Sequence, residues 1–379
     1  MKLVLSEEHQ LLKQSAADFV RSKSSLKRIR ALRDTADGVG FSRDLWREMA
    51  ALGWAGILVP EAHGGSGLGD SHLMVVMEEL GRGLMPEPMI ATVLTGTLLV
   101  ATGSEAQRRE LLPAIASGEL LATLAFQEPG SRFQPTRVET RAEKSAGGWT
   151  LRGEKCFVPY ARSADRLIIS ARTSGAATDL SGISLFLVDR SARGVTIAPQ
   201  SLIDARPAAI VRLDGAPVDA SSVLGDVDGG AAALLAALDR GTAAQSAEML
   251  GSMLAAFEMT LDYLKTRKQF GALIGTFQAL KHRAAAVYTE TELSRSAVMA
   301  ACFALEERSE KARSLVSLAK ARLSDAFVLA ANEAVQMHGG IGMTDEHDIG
   351  FFLKRSRAAE MSFGDAAWHR DRFATLQGY

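Results

Sequence analysis

A long stretch of apolar and small residues between Asp228 and Phe277 dominates the hydrophobic pattern of the chain. Its large apolar residues recur mostly every four positions, at Leu234, Leu238, Met249, Met253, Phe257 and Leu261. This spacing is that of one broad face of an α-helix. No proline interrupts the stretch, and Gly271 follows its basic end. The pattern therefore predicts a helix over about Gly230 to Thr266, buried inside a bundle.

Helical periodicity also appears on both sides of a central region. Ser6 caps the first helix, and four more are predicted before residue 120, at 42–52, 70–83, 89–102 and 104–117. Four helices are predicted after the long one, at 276–307, 311–338, 345–360 and 364–377. Because long helices with short connections pack against one another in opposite directions, we predict a C-terminal antiparallel four-helix bundle.

From Leu120 the pattern changes to short β-branched segments separated by turn residues. Strands are predicted near 121–126, 137–142, 149–152, 166–171, 183–188, 195–198 and 209–213. These strands predict a small β-barrel or sandwich. The fold class is therefore α+β, with an N-terminal all-α domain at 1–119, a middle β domain at 120–228 and a C-terminal helical domain at 229–379.

The composition excludes several functional classes. With 47% hydrophobic and 23% charged residues and a net charge of −1, the chain resembles ordinary soluble proteins and has no basic field for nucleic acid or anionic membrane. The most apolar run, Met89 to Thr102, is too short to span a bilayer. No histidine or cysteine pair has the spacing of metal ligands, so no metal is expected.

The expected compartment is the cytoplasm. Cys156 and Cys302 lie far apart and follow no secretory signal, so both are expected to be reduced thiols. The chain also runs almost directly from Met1 into a helix, which does not indicate a transit peptide.

Two motifs in the C-terminal part carry a family resemblance. Arg-Lys-Gln-Phe-Gly occupies 267–271, with Phe-Gln at 277–278, and Gln-Met-His-Gly-Gly-Ile-Gly-Met-Thr occupies 336–344. Together they closely resemble the signature of the acyl-CoA dehydrogenase family. The order of helices, strands and long helices also matches the three-domain layout of that family, so the resemblance covers essentially the whole chain.

The resemblance implies an FAD-dependent enzyme. In the family, the arginine and the glutamine-glycine motif contact the diphosphate and adenosine of an FAD held by a neighbouring subunit. Cofactor contacts are therefore expected from Arg267, Gln269, Phe270, Gln336, Gly339 and Gly340. A guanidinium offers a planar pair of donors to a diphosphate, and glycines let the backbone approach the cofactor. Taken alone, a basic residue at a helix end is equally explained by the helix dipole.

Two segments of the middle domain resemble the family's contacts to the flavin ring and the thioester. They are Ala-Phe-Gln-Glu-Pro-Gly-Ser at 125–131 and Lys-Cys-Phe-Val-Pro-Tyr at 155–160. The resemblance implies cofactor contacts from Phe126, Gln127, Phe157 and, near the C-terminus, Asp365. The chain departs from the family where Gln127 replaces a threonine, and where Pro159 has neither a hydroxyl nor an N–H to offer.

Acyl-CoA dehydrogenation requires a carboxylate that removes the α-proton, and such a base works best nearly buried. Many family members carry this glutamate near the C-terminus, where this chain has Phe363. Others carry it on the long helix before an arginine, which makes Asp239 the candidate base and Arg240 its orienting partner. Alternatively, Asp239 is a solvated or salt-bridged helix carboxylate. Aspartate reaches about 1.5 Å less than glutamate, which can cost ~100-fold in rate.

The overall pattern looks most like the small subunits of bacterial dehydrogenases for pimeloyl-CoA-type or steroid side-chain CoA esters. This implies an acyl-CoA substrate, an electron-transfer flavoprotein or similar acceptor, and a homo- or hetero-oligomer, possibly a heterotetramer. Two alternatives stay open. The chain could be a non-catalytic subunit that completes the FAD site of another dehydrogenase chain, or a flavin monooxygenase on the same fold, which needs no carboxylate base.

Overall fold

The computed structural model describes residues 3–35 and 38–379. The helices are α1 (Glu7–Lys23), α2 (Leu26–Thr35), α3 (Arg43–Ala51), α4 (Asp70–Arg82), α5 (Met89–Thr102), α6 (Glu105–Ala116), α7 (Gly230–Thr266), α8 (Gln278–Glu306), α9 (Ala312–His338), α10 (Ile349–Met361) and α11 (Ala366–Leu376). The strands are β1 (Ala122–Ala125), β2 (Arg141–Ser145), β3 (Gly148–Pro159), β4 (Arg166–Arg172), β5 (Ile183–Asp189), β6 (Val195–Gln200), β7 (Ala208–Asp219), β8 (Val223–Leu224), β9 (Lys268–Gln269) and β10 (Ala272–Leu273). The predicted order of helices, then strands, then helices is confirmed.

The chain divides into two compact units. Unit 1 contains residues 1–31, 70–85 and 242–379, and unit 2 contains 32–69 and 86–241. The long helix α7 begins in unit 2 and continues in unit 1. The predicted domain boundaries at 119 and 228 stay a prediction.

In unit 1, α9 is the central helix of the bundle, and α8, α10 and α11 pack against it. Phe327 of α9 and Phe352 of α10 are among the largest fully buried side chains. Every residue of α4 from Asp70 to Gly81 is also buried. A helix buried on all sides lies inside a core.

A buried polar network joins α1, α4 and α8 in unit 1. Ser71 has no exposed surface, and its Oγ donates to Glu306 Oε2 at 2.5 Å. His9 Nε2 lies 2.7 Å from the same Oγ, while His9 Nδ1 lies 2.6 Å from Oγ of the capping residue Ser6. Because Ser71 gives its proton to the carboxylate, this network assigns the ring proton of His9 to Nε2. Three helices are thereby held in one register.

Unit 2 contains a mixed sheet in the order β6-β7-β3-β2-β4-β5-β8, with β1 pairing in parallel with β4. The long antiparallel pair β3 and β7 spans residues 148–159 and 208–219. Helix α5 packs against β1 and β8, and α6 packs against α5. This sheet corresponds to the predicted middle β domain.

Two local predictions were wrong. Helix α2 was not predicted because none of its described residues is buried, so it has no wide apolar stripe. The strand predicted at 137–142 begins only at Arg141. The backbone N–H groups of Glu139 and Thr140 donate instead to the Glu128 carboxylate, at 2.6 and 3.0 Å, so they are not available to a neighbouring strand.

The backbones of α4 and α7 meet in unit 1 at two glycines. A Cβ on Gly81 would lie 2.0 Å from the Glu248 carbonyl oxygen, and one on Gly251 would lie 1.7 Å from the Glu78 carbonyl oxygen. Ser252 Oγ donates to the Gly81 carbonyl at 2.8 Å across the same contact. No side chain of any size fits at either glycine without separating the helices.

We expect Gly251→Ala to lower the free energy of unfolding by about 3 kcal/mol, because the added methyl overlaps backbone that cannot move freely. Gly350→Ala is the matched control, since a Cβ there meets nothing within 4 Å in a helical position. That variant should be stabilised by ~0.5 kcal/mol through the unfolded state. Urea unfolding measures both, and equal stability of the two variants would contradict the close approach of α4 and α7.

Candidate functional site

The segment after β1 holds two predicted cofactor residues, Phe126 and Gln127, which are half-buried. The Gln127 carbonyl accepts a hydrogen bond from the Cys156 N–H at 2.8 Å. Ser131 closes the following turn, because its Oγ donates to the Glu128 carbonyl at 2.9 Å and accepts from the Glu128 N–H at 3.1 Å. The segment is therefore a fixed turn attached to β3.

A buried ion pair anchors this segment, and the sequence did not identify it. Lys155 Nζ lies 2.6 Å from Glu128 Oε1 and donates to Ser170 Oγ at 3.0 Å, and both charged residues are buried. Burial alone would raise the pKa of Glu128, but the lysine and the backbone donors of Glu139 and Thr140 outweigh it and lower that pKa. The Glu128 carboxyl is therefore ionised near neutral pH, and its charge offsets part of the lowering that burial causes in the pKa of Lys155.

Phe157 lies at an irregularity in β3. The register with β7 shifts between Lys155 and Val158, and Phe157 has a φ of +53°. Its side chain is 48% exposed, and its N–H donates to Gln200 Oε1 at 2.8 Å. A bulge redirects a side chain, and a non-glycine residue in the left-handed region is strained by about 1–3 kcal/mol. An aromatic ring directed outward at that strain is typical of a functional position.

Asp239, the candidate base, is only 5% exposed. It lies on the part of α7 that belongs to unit 2, together with Phe126, Gln127 and Phe157. This burial excludes a solvated surface carboxylate and leaves a buried, hydrogen-bonded or ion-paired one. Arg240 is half-buried, and its Nη1 lies 3.5 Å from Thr97 Oγ1 on α5.

The motif at 267–271 forms a small hairpin in unit 1, after α7. Arg267 and Gln269 are exposed, and Gln269 pairs with Ala272 between β9 and β10. Phe270, at the turn, is 93% exposed and has a φ of +55°. Its ring makes an edge contact with Phe277, with 6.2 Å between the ring centroids. Two exposed aromatic rings beside an exposed arginine form a surface suited to a binding partner.

The motif at 336–344 includes the end of α9 and the segment after it. Gln336, Gly339 and Gly340 are all exposed. Gly339 has a φ of +67°, which favours glycine, and a Cβ at Gly339 or Gly340 would meet nothing within 4 Å. Met343, in the same segment, is 78% exposed. The two glycines therefore leave open space over an accessible stretch of backbone.

A small buried cluster joins the two motifs. Leu264 at the end of α7, Ile274 after the hairpin and Met337 at the end of α9 pack together, with Tyr263 against them. The Tyr263 ring also stacks on His338, with 4.5 Å between the centroids. The hairpin and the glycine segment therefore lie at one end of unit 1. We refer to the exposed residues Arg267, Gln269, Phe270, Gln336, Gly339 and Gly340 as the clamp.

His338 has a structural role at the packed end of α9. It is 3% exposed, and its Nδ1 donates to the Ala334 carbonyl at 2.7 Å. Burial lowers its pKa, so the ring is neutral near neutral pH.

Asp365, a predicted cofactor residue, caps α11 by accepting a hydrogen bond from the Trp368 N–H at 2.8 Å. Any cofactor contact of Asp365 would be additional to this cap.

Two further observations concern metal ions and membranes. In residues 3–35 and 38–379, no group of three or more histidine, cysteine or acidic side chains is arranged to hold a metal ion. Within the same ranges, no helix combines the length and the apolar character needed to cross a bilayer.

The sequence matches three profiles of one family. Residues 6–119 match the acyl-CoA dehydrogenase N-terminal domain, residues 123–213 its middle domain, and residues 228–375 its C-terminal domain. The probable acyl-CoA dehydrogenase YngJ of Bacillus subtilis is 29% identical over 377 residues, which are 98% of each chain.

Solved structures resemble the whole chain. A variant of the Tcur3481-Tcur3483 steroid ACAD has 30% sequence identity and a TM-score of 0.87, with 98% of each chain covered. A chain of the ChsE4-ChsE5 complex from Mycobacterium tuberculosis has 25% identity and a TM-score of 0.90, with 100% of each chain covered.

We expect Lys155→Met to lower the free energy of unfolding by about 3–5 kcal/mol at neutral pH, because it leaves the buried Glu128 carboxylate without its cation. Lys144→Met, which removes an exposed lysine from unit 2, should cost less than about 1 kcal/mol. Urea unfolding followed by circular dichroism measures both changes.

The pH dependence of this stability difference tests whether the pair is charged. The folded pKa of Glu128 lies below its ordinary value of 4.5, so its contribution is present above that value and is lost as pH falls through the lowered one. In Lys155→Met the unpaired carboxylate becomes easier to protonate, so the stability gap to the native chain should narrow in acid. A gap that widens in acid would contradict a charged pair.

Proposed function

Because the chain belongs to the acyl-CoA dehydrogenase family, whose members are oxidoreductases acting on acyl-CoA, we propose that it catalyses α,β-dehydrogenation of an acyl-CoA thioester with FAD. The observation that carries this proposal is Asp239, a carboxylate with 5% exposure on an otherwise apolar part of α7. A buried carboxylate has few roles other than structural pairing or proton transfer.

The clamp has the chemistry that an FAD nucleotide requires. Arg267 presents a guanidinium that matches a diphosphate, and its exposure leaves the donors accessible. Gly339 and Gly340 leave room where a Cβ would project, so a flat ring or ribose can approach the backbone. The Phe270 and Phe277 rings add apolar area beside these groups. These residues therefore fit FAD.

We infer that the clamp serves an FAD bound mainly by a neighbouring chain. The clamp is exposed, and Phe270 at 93% exposure is costly to leave in water unless another chain covers it. The likeness to a chain of the ChsE4-ChsE5 complex supports an assembly of two related chains. The assembly is thus a homo- or hetero-oligomer in which each clamp completes the cofactor site of a neighbour.

When bound, FAD supplies the acceptor for the hydride that leaves the β-carbon. The chain itself supplies the base and the frame. A carboxylate oxygen of Asp239 accepts the α-proton of the thioester, and the adjacent Arg240 orients the Asp239 segment through its contact with Thr97. The bulge at Phe157 and the fixed turn at Phe126 and Gln127 limit the positions open to the ring and the thioester.

The proposed substrate is a CoA ester with a bulky or polycyclic acyl chain, and the proposed acceptor of the electrons is an electron-transfer flavoprotein or a similar protein. The likeness at 30% identity to a steroid ACAD supports this substrate class. Activity assays with steroid side-chain CoA esters and with straight-chain CoA esters test it, and equal rates on both would remove the preference.

A second candidate function is favoured by Pro159. This residue has no N–H, and its carbonyl already accepts from Thr123 Oγ1 at 2.7 Å. A chain with altered ring contacts and an intact clamp could serve only as the partner of a catalytic dehydrogenase chain. Purifying the chain alone and measuring bound flavin separates the two candidates, because a colourless chain that gains flavin only with a second chain supports the partner role.

We expect Asp239→Asn to slow flavin reduction by acyl-CoA by about 100-fold or more, because the amide cannot accept the α-proton. Flavin content should not change. Asp262→Asn is the control, since Asp262 is an exposed carboxylate on the same helix. Anaerobic stopped-flow absorbance measures the rate. Equal rates in Asp239→Asn and the native protein would remove Asp239 from the mechanism.

We expect Arg267→Ala to weaken FAD binding in the assembled protein by about tenfold or more, because two charge-assisted hydrogen bonds to the diphosphate are lost. Lys268→Ala removes the neighbouring exposed charge and should retain FAD, so it separates a specific contact from general attraction. Flavin released on dilution is measured by fluorescence. Native retention in Arg267→Ala, or an equal loss in both variants, would contradict the clamp.

A further inference from the structure

A lysine without exposed surface, Lys320 of α9, lies in the core of unit 1. Its Nζ donates to the Gly364 carbonyl at 2.7 Å, the Glu360 carbonyl at 3.1 Å and Ser324 Oγ at 2.9 Å. An ammonium group has three N–H donors, so all three are satisfied by these oxygens. Two of the three bonds go to backbone around the turn between α10 and α11.

That turn, Ser362 to Asp365, has an unusual backbone. Phe363 has a φ of +59° and Gly364 has a φ of +112°, and the first of these is disfavoured for a residue with a side chain. His369 Nε2 donates to the Phe363 carbonyl at 3.0 Å. Side chains from α9 and α11 therefore hold two successive carbonyls of the turn, and the next residue is Asp365, the cap of α11 and a proposed cofactor contact.

Several charged groups surround Lys320. Glu360 and Arg355 come from α10, Asp365 precedes α11, and His369 and Arg372 belong to α11. Glu290 of α8 pairs with Arg322, two positions from Lys320 on α9. Burial lowers the pKa of Lys320 to about 7, with Glu360 and Asp365 opposing this shift and Arg355 reinforcing it. Burial, Lys320 and Arg372 lower the pKa of His369 to about 3, so His369 is a neutral donor near neutral pH.

We propose that Lys320 is a positioning residue, whose amine fixes the turn at 362–365 and thereby the orientation of Asp365 in the cofactor site. The role of Asp365 at the cofactor rests on the proposed function. The hydrogen bonds from Lys320 to the Glu360 and Gly364 carbonyls, which we call the grip, do not depend on it. Protonated Lys320 satisfies three acceptors.

Hydrogen exchange of the full chain tests the grip through the peptide that covers the turn. After correction for intrinsic rates, Lys320→Met should lose protection by about tenfold, because its bonds to the Gly364 and Glu360 carbonyls are gone. Lys320→Gln keeps two N–H donors, so its protection should be intermediate between the native chain and Lys320→Met.

Ser324→Ala is the matched control, because it removes the acceptor on α9 and leaves the bonds to the Glu360 and Gly364 carbonyls in place. Its turn peptide should exchange like that of the native chain. Native protection in Lys320→Met or in Lys320→Gln would overturn the proposal. The glutamine variant keeps the test valid if the methionine variant does not fold.

The pH dependence of the unfolding equilibrium is an independent test of the buried amine. The folded pKa of Lys320, about 7, lies below its ordinary value of 10.5. Burying the charged amine therefore lowers the free energy of unfolding in full below pH 7, and this loss disappears by about pH 10.5, where the amine is neutral in both states. This group should therefore make the unfolding equilibrium constant fall by up to about tenfold per pH unit between them. Lys320→Gln should lack that slope, and an unchanged slope would contradict the assignment.

The link to the cofactor is measured by titrating the assembled protein with FAD. Lys320→Gln should bind FAD about tenfold more weakly than the native protein below pH 7, where native Lys320 is protonated. If the native protein binds no FAD, the proposed function fails, whereas the exchange and stability results still decide the grip. If the native protein and the variant bind FAD equally, the positioning of Asp365 is wrong although FAD binding stands.

Discussion

The buried ion pair between Lys155 and Glu128 is the constraint on which the candidate site of unit 2 depends. The Glu128 carboxylate lies 2.6 Å from Lys155 Nζ and accepts hydrogen bonds from the backbone N–H groups of Glu139 and Thr140. One buried charge therefore brings together the turn after β1, the segment before β2, and β3. Such a pair adds little net stability, because desolvation offsets most of the attraction. The pair instead selects one arrangement of these segments, because any arrangement that separates them leaves a charge buried alone. The turn with Gln127 and the bulge with Phe157 are therefore held in fixed positions.

Strongly periodic segments were predictable because their physics is local. The apolar face of α7, the cap at Ser6 and the stop of α7 before Gly271 each depend on residues within a few positions. Helix α2 lacked such a signal, and the strand predicted at 137–142 was displaced by the Glu128 carboxylate, a partner outside the strand itself. Sequence patterns carry no information about which distant side chain takes a backbone donor.

The same distinction applies to the candidate sites. The clamp motifs could be found because glycines and an arginine at fixed spacing are visible in the sequence, and the structure adds that a buried cluster of Leu264, Ile274 and Met337 joins them. The burial of Asp239 could only be suspected from its apolar neighbours. The Lys155 and Lys320 networks gave no signal at all, because a lysine in a sequence is most simply explained as a solvated surface residue, and its acceptors lie on other elements.

The buried core of unit 1 and the clamp consist of different residues. In the core of unit 1, for example, the buried Arg355 and Glu248 pair at 2.6 Å, so these two charges are satisfied without a ligand. The clamp, by contrast, is exposed and rests on a packed base, so it can contribute binding energy without refolding. A surface of that kind does not require that its own chain hold a flavin ring. Sequence drift at Gln127 and Pro159 can consequently reduce the ring contacts of one chain, while the assembly keeps as many functional sites as it has intact ring-binding chains.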